Sequence, residues 1–504
     1  MNPLDRIAGY VSPKWGLKRI AARKALEFGA SYYSGAKSSR LSNNWSTGQE
    51  SADTAMGGGE LQTLRNRSRD LNRNDPVASG LTGTFQTNVI GVGLKPQSRI
   101  DYKALSITPE AAKAFQVQAE KAWKKMGTWA SASRKLNIEE IQSLAVRQII
   151  ESGEFLAVRR AISTGQGRPY YLALDVIEPD RLRTPSDKRR DKSVRYGIDF
   201  NQRGEPKRYF IQKEHPGDDR INRIKRQLDY TTVRARDEQG RQNVFHIFPT
   251  LRPGQTRGIP FFAPVIDRFK VMADYIEATL VAARVAACFA AFVKSENAYA
   301  VASGRSDETN DESQKLEYLE PGTIDYLDDG QDIIFAKPEQ PGTTFDSFCE
   351  RLLRMIGASL GLPYELVAKD FSKTNYSSAK AALEQAYRFF KTWQNLIRDH
   401  LCQPFWELLL EEAWLRGELT APGFQKNQWE YTRATWIAPP WPSLDPLKDA
   451  KANEVAKKEG FKTSSRIIME TTGEDFEEVA DQRAYEKEYE KSRGLVDEPE
   501  TISE

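Results

Sequence analysis

The chain is poor in the side chains that carry covalent and metal chemistry. It has three cysteines and three histidines in 504 residues. Cys288, Cys349 and Cys402 stand far apart in apolar helical contexts, with no Cys-x-x-Cys pair and no Cys/His cluster. That spacing argues against a structural zinc site and predicts buried thiols in a reducing compartment. His215, His246 and His400 lie in separate segments, which suits neither a metal site nor a catalytic triad. His246, between Phe245 and Ile247, reads as a satisfied strand residue. The phosphate loop GxxxxGK(S/T), the HExxH zinc motif and the G-x-S-x-G elbow are all missing, so a P-loop motor, a zinc protease and a serine hydrolase lack support. Gly91-Val-Gly93 has neither the third glycine nor the context of a dinucleotide fold. No catalytic, metal-binding or cofactor-binding residue is expected. The acids described below lie on turns, without an EF-hand pattern or a supporting His or Lys.

Long hydrophobic runs are missing as well. The most apolar stretch, Val285 to Val293, is nine residues between Arg284 and Lys294, whereas a bilayer span needs about 20. The first residues form no secretory signal. A soluble cytoplasmic protein without membrane contact is expected. Nor does one charge dominate: Lys and Arg number 73 against 70 Asp and Glu, a net +3, so bulk charge announces no nucleic-acid binder. The hydrophobic fraction is 39% and the mean hydropathy −0.61. Much of the surface is therefore polar, or the chain is elongated with little core per residue. The length suits about three domains.

What is there is a sequence of patterns. Residues 1–59 start basic, with Lys14, Lys18, Arg19, Arg23 and Lys24, and pass through a Ser/Asn/Gly-rich tract to Gly57-Gly-Gly59. A flexible arm is one reading and a nucleic-acid or acidic-partner contact the other. From Glu60 a helical pattern begins, broken at Asn74-Asp-Pro76. Helices are predicted from Pro109 to about Gly127 and from Ile138 to Ser152. Glu154–Val158 and Tyr170–Ile177 read as strands, and Tyr196–Phe200 with Arg208–Ile211 as a hairpin turned at Gly204. Residues 60–255 thus form one α+β domain. Its arginine-rich stretch, Arg181 to Arg195, is a solvated loop face or a surface for DNA or an acidic partner.

A long helix is predicted over 260–293. Phe262, Ile266, Phe269, Ala273, Ile276, Leu280 and Ala287 form its packing stripe, while Asp267, Lys270, Asp274 and Glu277 share a wet face. Composition then turns acidic from Ser303 to Asp332, with turn signals at Pro321-Gly322 and Asp329-Gly330 and short strands Ile324–Leu327 and Ile333–Phe335. This insert is a solvated acidic surface or a docking face for a basic partner. Phe345 to Leu360 is helical again, with Phe348, Leu352, Met355, Ile356 and Leu360 on one face, and Pro363 ends it. The loop Ala368 to Asn375 has no apolar period and carries Lys369 and Lys373; it reads as a short mobile insert. A very long helical pattern follows from Ser377 to Arg416, which Pro404 must kink or divide. Trp429 to Trp441 suits a strand returning to the first domain. From Asp445 the chain is charged and helical.

Gly361-Leu-Pro-Tyr-Glu-Leu-Val367, followed by Asn375-Tyr-Ser-Ser-Ala-Lys380, resembles the tunnel-loop region of lambda-type phage portal proteins. Other segments resemble the family in the same order: Asn66–Leu71 with Asn74-Asp-Pro76, Asn88–Gln97, Ser152-Gly-Glu-Phe155, Ile177–Leu182, Val244–Phe248 and Arg252–Pro260. Leu319–Gly322 with Leu327–Gln331, and Gly473-Glu-Asp475 with Glu477-Glu-Val479, continue it. Each is weak alone; order and spacing together are specific. Lys380 stands where the family often has Arg, which keeps the charge.

The resemblance implies a portal-like α+β fold: an α/β wing (60–255), a first stem helix (256–302) and a small acidic α/β clip (303–344). A second stem helix (345–367), a tunnel loop (368–377), a long kinked helix (378–417), a return to the wing (418–445) and a helical crown and tail (446–504) follow. It implies a ring, usually of twelve subunits, at one capsid vertex, with the host cytoplasm as the place of assembly. The expected partners are further copies of the chain, double-stranded DNA without sequence specificity, the terminase large subunit, the major capsid protein and scaffold, and a head-completion or connector protein. The implied DNA-channel residues are Lys369, Lys373, Asn375 and Tyr376, with Asp267, Lys270, Asp274 and Glu277 facing the channel from the stem. The implied docking acids of the clip are Glu317, Glu320, Asp325, Asp328, Asp329 and Asp332. Two other classes fit less well: a DNA-processing enzyme of the packaging apparatus, which lacks its phosphate loop, and a monomeric DNA-binding or scaffolding adaptor, which would need a more basic face.

Overall fold

The computed structural model describes residues 48–57, 59–165, 167–218, 229–288, 292–295, 331–334, 345–441 and 445–493, together with Tyr10, Pro13 and Lys14. Among them, local chemistry sets most helix ends. Helix α1 (Glu60–Asn74) stops where Asp75 turns extended and caps α2 (Pro76–Phe85), its carboxylate accepting from Val77 N and Ala78 N at 2.9 and 2.8 Å. A π turn, Gln86–Ile90, closes α2 and leads to strand β1 (Lys95–Ser98). Thr108 caps α3 (Pro109–Met126). A reciprocal Asn137–Glu140 capping box opens α4 (Ile138–Ser152), and Gly153, at φ 89°, ends it.

The strands β2 (Phe155–Ala161), β3 (Leu172–Ile177), β4 (Val194–Arg195), β5 (Ile198–Phe200), β6 (Pro206–Gln212), β7 (Tyr230–Arg234) and β8 (Val244–Ile247) make two antiparallel sheets. Their orders are β3-β2-β8 and β4-β5-β6-β7. The period-2 alternation of β2 divides two cores. Phe155 and Ala157 join the main cluster with α2, α3 and α4, while Leu156 and Val158 join a smaller one with Ile198, Tyr209 and Ile211.

Helix α5 (Ile266–Cys288) leaves this body after a short 3-10 turn at Ala263–Val265. It is shorter than the sequence pattern predicts. Strand β9 (Phe292–Ser295) follows it and pairs antiparallel with β10 (Gln331–Ile334), so Phe292 and Val293, at the end of the apolar run, belong to sheet and not to helix. Among the described side chains the expected packing stripe holds only at the base: Phe262, Ile266 and Phe269 are buried, but Ala273, Ile276 and Leu280 are exposed, and the side chain of Ala287 lies outside the described residues. Helix α6 (Phe345–Leu360) runs beside α5, with Tyr275 stacked on Phe345, and it too buries only part of its expected face. Leu352, Ile356 and Leu360 are covered, whereas Phe348 and Met355 are exposed.

After the short helix α7 (Tyr364–Ala368), α8 (Tyr376–Ile397) and α9 (Gln403–Leu415) form the long predicted segment. It is divided by a π turn at Arg398–Cys402, where Gln403 N reaches Arg398 O. This turn places Pro404 in the first turn of α9, where its missing donor costs least. Phe390 and Trp393 of α8 pack on Phe85 of α2, at 5.3 and 5.1 Å between ring centroids. Strand β11 (Ala434–Ile437) pairs with β1, so the chain returns to its first half. Helices α10 (Pro446–Lys458), α11 (Ser464–Thr471) and α12 (Phe476–Ser492) follow. Cys402 is fully buried, whereas Cys349 is only half-buried, against expectation; the side chain of Cys288 lies outside the described residues. Among the described residues no helix is long and apolar enough to cross a membrane.

Candidate functional site

The loop between α7 and α8 is built by local hydrogen bonds. Gly361, at φ 71°, ends α6 against the Phe389 ring. Leu362 N reaches back to Gly357 O at 2.8 Å; a Cβ on Gly357 would stand 2.7 Å from Leu362 O, so this turn needs a glycine there. Lys369 then takes a left-handed conformation, φ 53°, and closes α7. Asp370 accepts from Ser372 N at 2.9 Å, the Thr374 hydroxyl donates to Phe371 O at 2.9 Å, and Asn375 accepts from Ser378 N at 2.8 Å. The expected loose insert is thus a folded turn, and Asn375 serves as the N-cap of α8.

Its two lysines are not equivalent. Lys373 Nζ pairs with Glu350 Oε2 at 2.8 Å, and Glu350 also receives Arg354 at 2.7 Å. The hydrogen bonds from Lys373 and Arg354 hold the Glu350 carboxyl below its ordinary range, and Glu350 pushes the Lys373 ammonium up. Lys369 has no carboxylate partner among the described residues, and its ammonium lies over α2, 3.8 Å from where a Cβ of Gly80 would stand. Tyr376 is half-exposed at the start of α8, with Lys448 Nζ over its ring at 5.7 Å, and Lys380 stands 4.0 Å from Asp449. The far end of the loop therefore sits beside α10.

On α5, Asp267, Lys270, Asp274 and Glu277 are all exposed and follow one another at spacings of three and four, the period of one helix face. Lys270 pairs with Asp274 at 2.6 Å, which pushes its ammonium up and leaves the other two carboxylates without a cation on the stripe. Glu317, Glu320, Asp325, Asp328 and Asp329 lie outside the described residues. Asp332 is on β10, in register with Lys294 of β9. Among the described residues no group of His, Cys, Asp and Glu is placed to hold a metal. In the arginine-rich stretch, Arg181 donates to Gln212 O at 2.8 Å and Arg183 to Asp180 O at 3.0 Å, so these two stitch the fold together.

One cluster lies outside the residues that sequence reasoning singles out. Glu154, fully buried at the start of β2, accepts from Arg65 at 2.7 Å, Arg257 Nε at 2.8 Å, Gly258 N at 2.8 Å and His246 Nε2 at 3.0 Å. Burial alone would push its carboxyl up; Arg257, then Arg65 and His246, hold it well below the usual range. Burial lowers Arg65 to about 10, with Glu154 opposing. Arg257 also donates to the carbonyls of Leu182 and Pro179 at 2.9 and 2.8 Å. Close by, Arg69 pairs with Asp180, whose carboxyl burial would raise but Arg69 and Gln62 bring to about 2. Gly258 packs on Gly153 so closely that a Cβ would stand 2.0 Å from Gly153 O. The sequence marks were present, a lone carboxylate before an apolar strand and two tight glycines, but their partners are distant in the chain. Five of the segments that carry the family resemblance, those around residues 66–71, 152–155, 177–182, 244–248 and 252–260, meet at this cluster. It fixes the root of α5 to the two sheets.

A sequence model of the family described as "Phage portal protein, lambda family" matches residues 38–394. Portal protein B of Escherichia phage lambda is 22% identical over 481 residues, covering 90% of this chain and 88% of that protein. The portal protein of Escherichia phage N15 is 24% identical over 488 residues, with the same shares. Among solved structures, the chain is similar to one in the neck of a native gene transfer agent particle computed with C12 symmetry. The two are 15% identical, 83% of this chain and 97% of that one are covered, and the TM-score is 0.46.

Proposed function

This chain belongs to the lambda family of phage portal proteins, and on that premise we propose that twelve copies close into a ring that conducts double-stranded DNA at one capsid vertex. The observation that carries the reading is the family match across residues 38–394, with portal relatives aligned along 90% of the chain. The ring nucleates head assembly, docks the terminase large subunit during packaging, contacts the capsid protein and scaffold, and later binds a head-completion protein. It performs no bond chemistry.

The arrangement of charge supports these roles. A conduit must let DNA slide, so base-edge contacts would stall it, while phosphate contacts are blind to sequence. The stripe Asp267, Lys270, Asp274 and Glu277 carries three carboxylates and one ammonium; turned to the bore, it repels the backbone and keeps the duplex centred. Lys369 and Lys373, with Asn375 and Tyr376 behind them, supply weak contacts at the loop. The acids Glu317, Glu320, Asp325, Asp328, Asp329 and Asp332 form the docking face of the clip. Native mass spectrometry with negative-stain imaging of the purified protein tests the ring. Closed particles of about twelve subunits with a central hole are expected; a chain that stays monomeric at high concentration and in the presence of its capsid partners would return the adaptor reading.

A further inference from the structure

Helices α10, α11 and α12 contain no buried residue, so they dock on the rest of the molecule only through part-covered side chains. Segments held this way open at low cost. At the root of α12, Asp475 caps the helix, accepting from Glu477 N at 2.7 Å, and also takes the side-chain amide of Gln97 on β1. Lys113 and Lys124 of α3 pair with Glu477 and Glu478. Behind these contacts is a cavity of about 450 Å³ that Glu120, Trp123 and Asp475 help to line. Glu120 belongs to α3, is half-buried, and accepts from Ser98 N of β1 at 2.9 Å.

Among the described residues no cation pairs with Glu120. The charged groups around it are Lys113 and Lys124 of its own helix, both engaged by α12; Lys95 of β1; Glu139 of α4; and Glu474, Asp475, Glu477, Glu478 and Asp481 from the C-terminal segment. We propose that Glu120 is a pH-sensitive release for the C-terminal helices: once its carboxyl ionises, repulsion from Asp475, Glu477 and Glu478 loosens α12 from α3 and β1. Burial, then those three acids, push this carboxyl up to about 7, against the Ser98 N–H. Undocking removes both the cover and the acids, so the undocked state gives up a proton that the docked state keeps. Docking is therefore favoured on the acid side and is lost as the pH rises through about 7. The two lysine pairs oppose release and limit it to a partial opening.

Hydrogen exchange of the full chain over residues 464–492, read at pH 6 and pH 8 with the intrinsic exchange rate divided out, tests this. The opening equilibrium should rise by up to about tenfold across that interval, the limit for one linked proton with this midpoint. Glu120→Gln keeps an acceptor for Ser98 N–H without the charge, and should hold protection at pH 8 at the pH 6 level. Equal opening of the wild-type chain at both pH values would overturn the proposal, and so would a full pH response in Glu120→Gln. Should that variant fail to fold, Asp475→Asn keeps the cap and removes the acid that acts most strongly on Glu120. It should shrink the response, and an unchanged response would count equally against the device.

Discussion

Two guanidiniums share the single carboxylate of Glu154 out of reach of water. Removing that carboxylate leaves Arg65 and Arg257 facing each other unpaired, which costs far more than the pair itself contributes. Glu154→Gln should lower subunit stability by about 3–5 kcal/mol, the usual scale for orphaning a buried charge. Denaturant unfolding of the isolated subunit reads this, and a loss below about 1 kcal/mol would mean that water reaches the site. Asp180 makes a pH prediction. Its carboxyl stands at about 2 against an ordinary 3.8, a depressed value. Its contribution is complete above pH 3.8 and is lost as the pH falls towards 2, so Asp180→Asn should flatten the acid limb of a stability profile over that window. Sequence carried part of this chemistry. His246 between two apolar residues reads as a satisfied strand histidine, and it is one, paired with Glu154. Glu154 itself gave no readable role, because a buried ion is defined by partners that sit 89 and 103 residues away.

Elements with their own end signals were legible, and elements that depend on distant pairing were not. The Asn137–Glu140 box and Gly153 bound α4 at the residues their chemistry names. Pro404 announced a break in the long C-terminal helix, although the break is a π turn just before it rather than a kink at the proline. The end of α5 is not legible in the sequence, because β9 has the composition of more helix and its partner β10 is distant in the chain. In the loop before α8 the polar composition pointed to a mobile tether, whereas Asp370, Thr374 and Asn375 close it into turns. This changes what its lysines must do. In the proposed conduit Lys373 would have to exchange Glu350 for a phosphate, and an exposed pair of this kind exchanges readily. Replacing Lys369 and Lys373 together by alanine should therefore reduce DNA retention in filled heads while rings assemble as before. Measuring retained DNA against ring yield separates the two, and a variant that retains DNA normally would remove these lysines from the conduit.

At the scale of the whole molecule the unexplained feature is apolar surface on the two long helices. Leu280 and Ile276 are 49% and 43% exposed, Val281 matches Leu280, and Phe348 and Met355 add to them on α6. Sequence periodicity places Ile276, Leu280, Phe348 and Met355 in packing stripes, and among the described residues those stripes are buried only at their bases. In the proposed ring every subunit would offer these two helices to a neighbour, and the uncovered parts of both stripes would then be contacts between copies. Large exposed apolar residues clustered on adjoining helices mark such interfaces. Leu280→Glu combined with Met355→Glu should then leave the fold of the subunit unchanged, because neither residue joins its core, while blocking ring closure. Far-UV circular dichroism and thermal unfolding report the first, and native mass spectrometry the second. Rings of normal size from the double variant would place the subunit interface elsewhere. A separate test concerns the clip: reversing Asp328 and Asp329 to lysine should spare the ring and weaken terminase docking, with greater salt sensitivity in what remains, because two like charges would then face a basic partner beside Glu317, Glu320, Asp325 and Asp332. Unchanged binding across a salt titration would show that the acidic insert is a solvated surface, and docking would then have to rest on shape rather than charge.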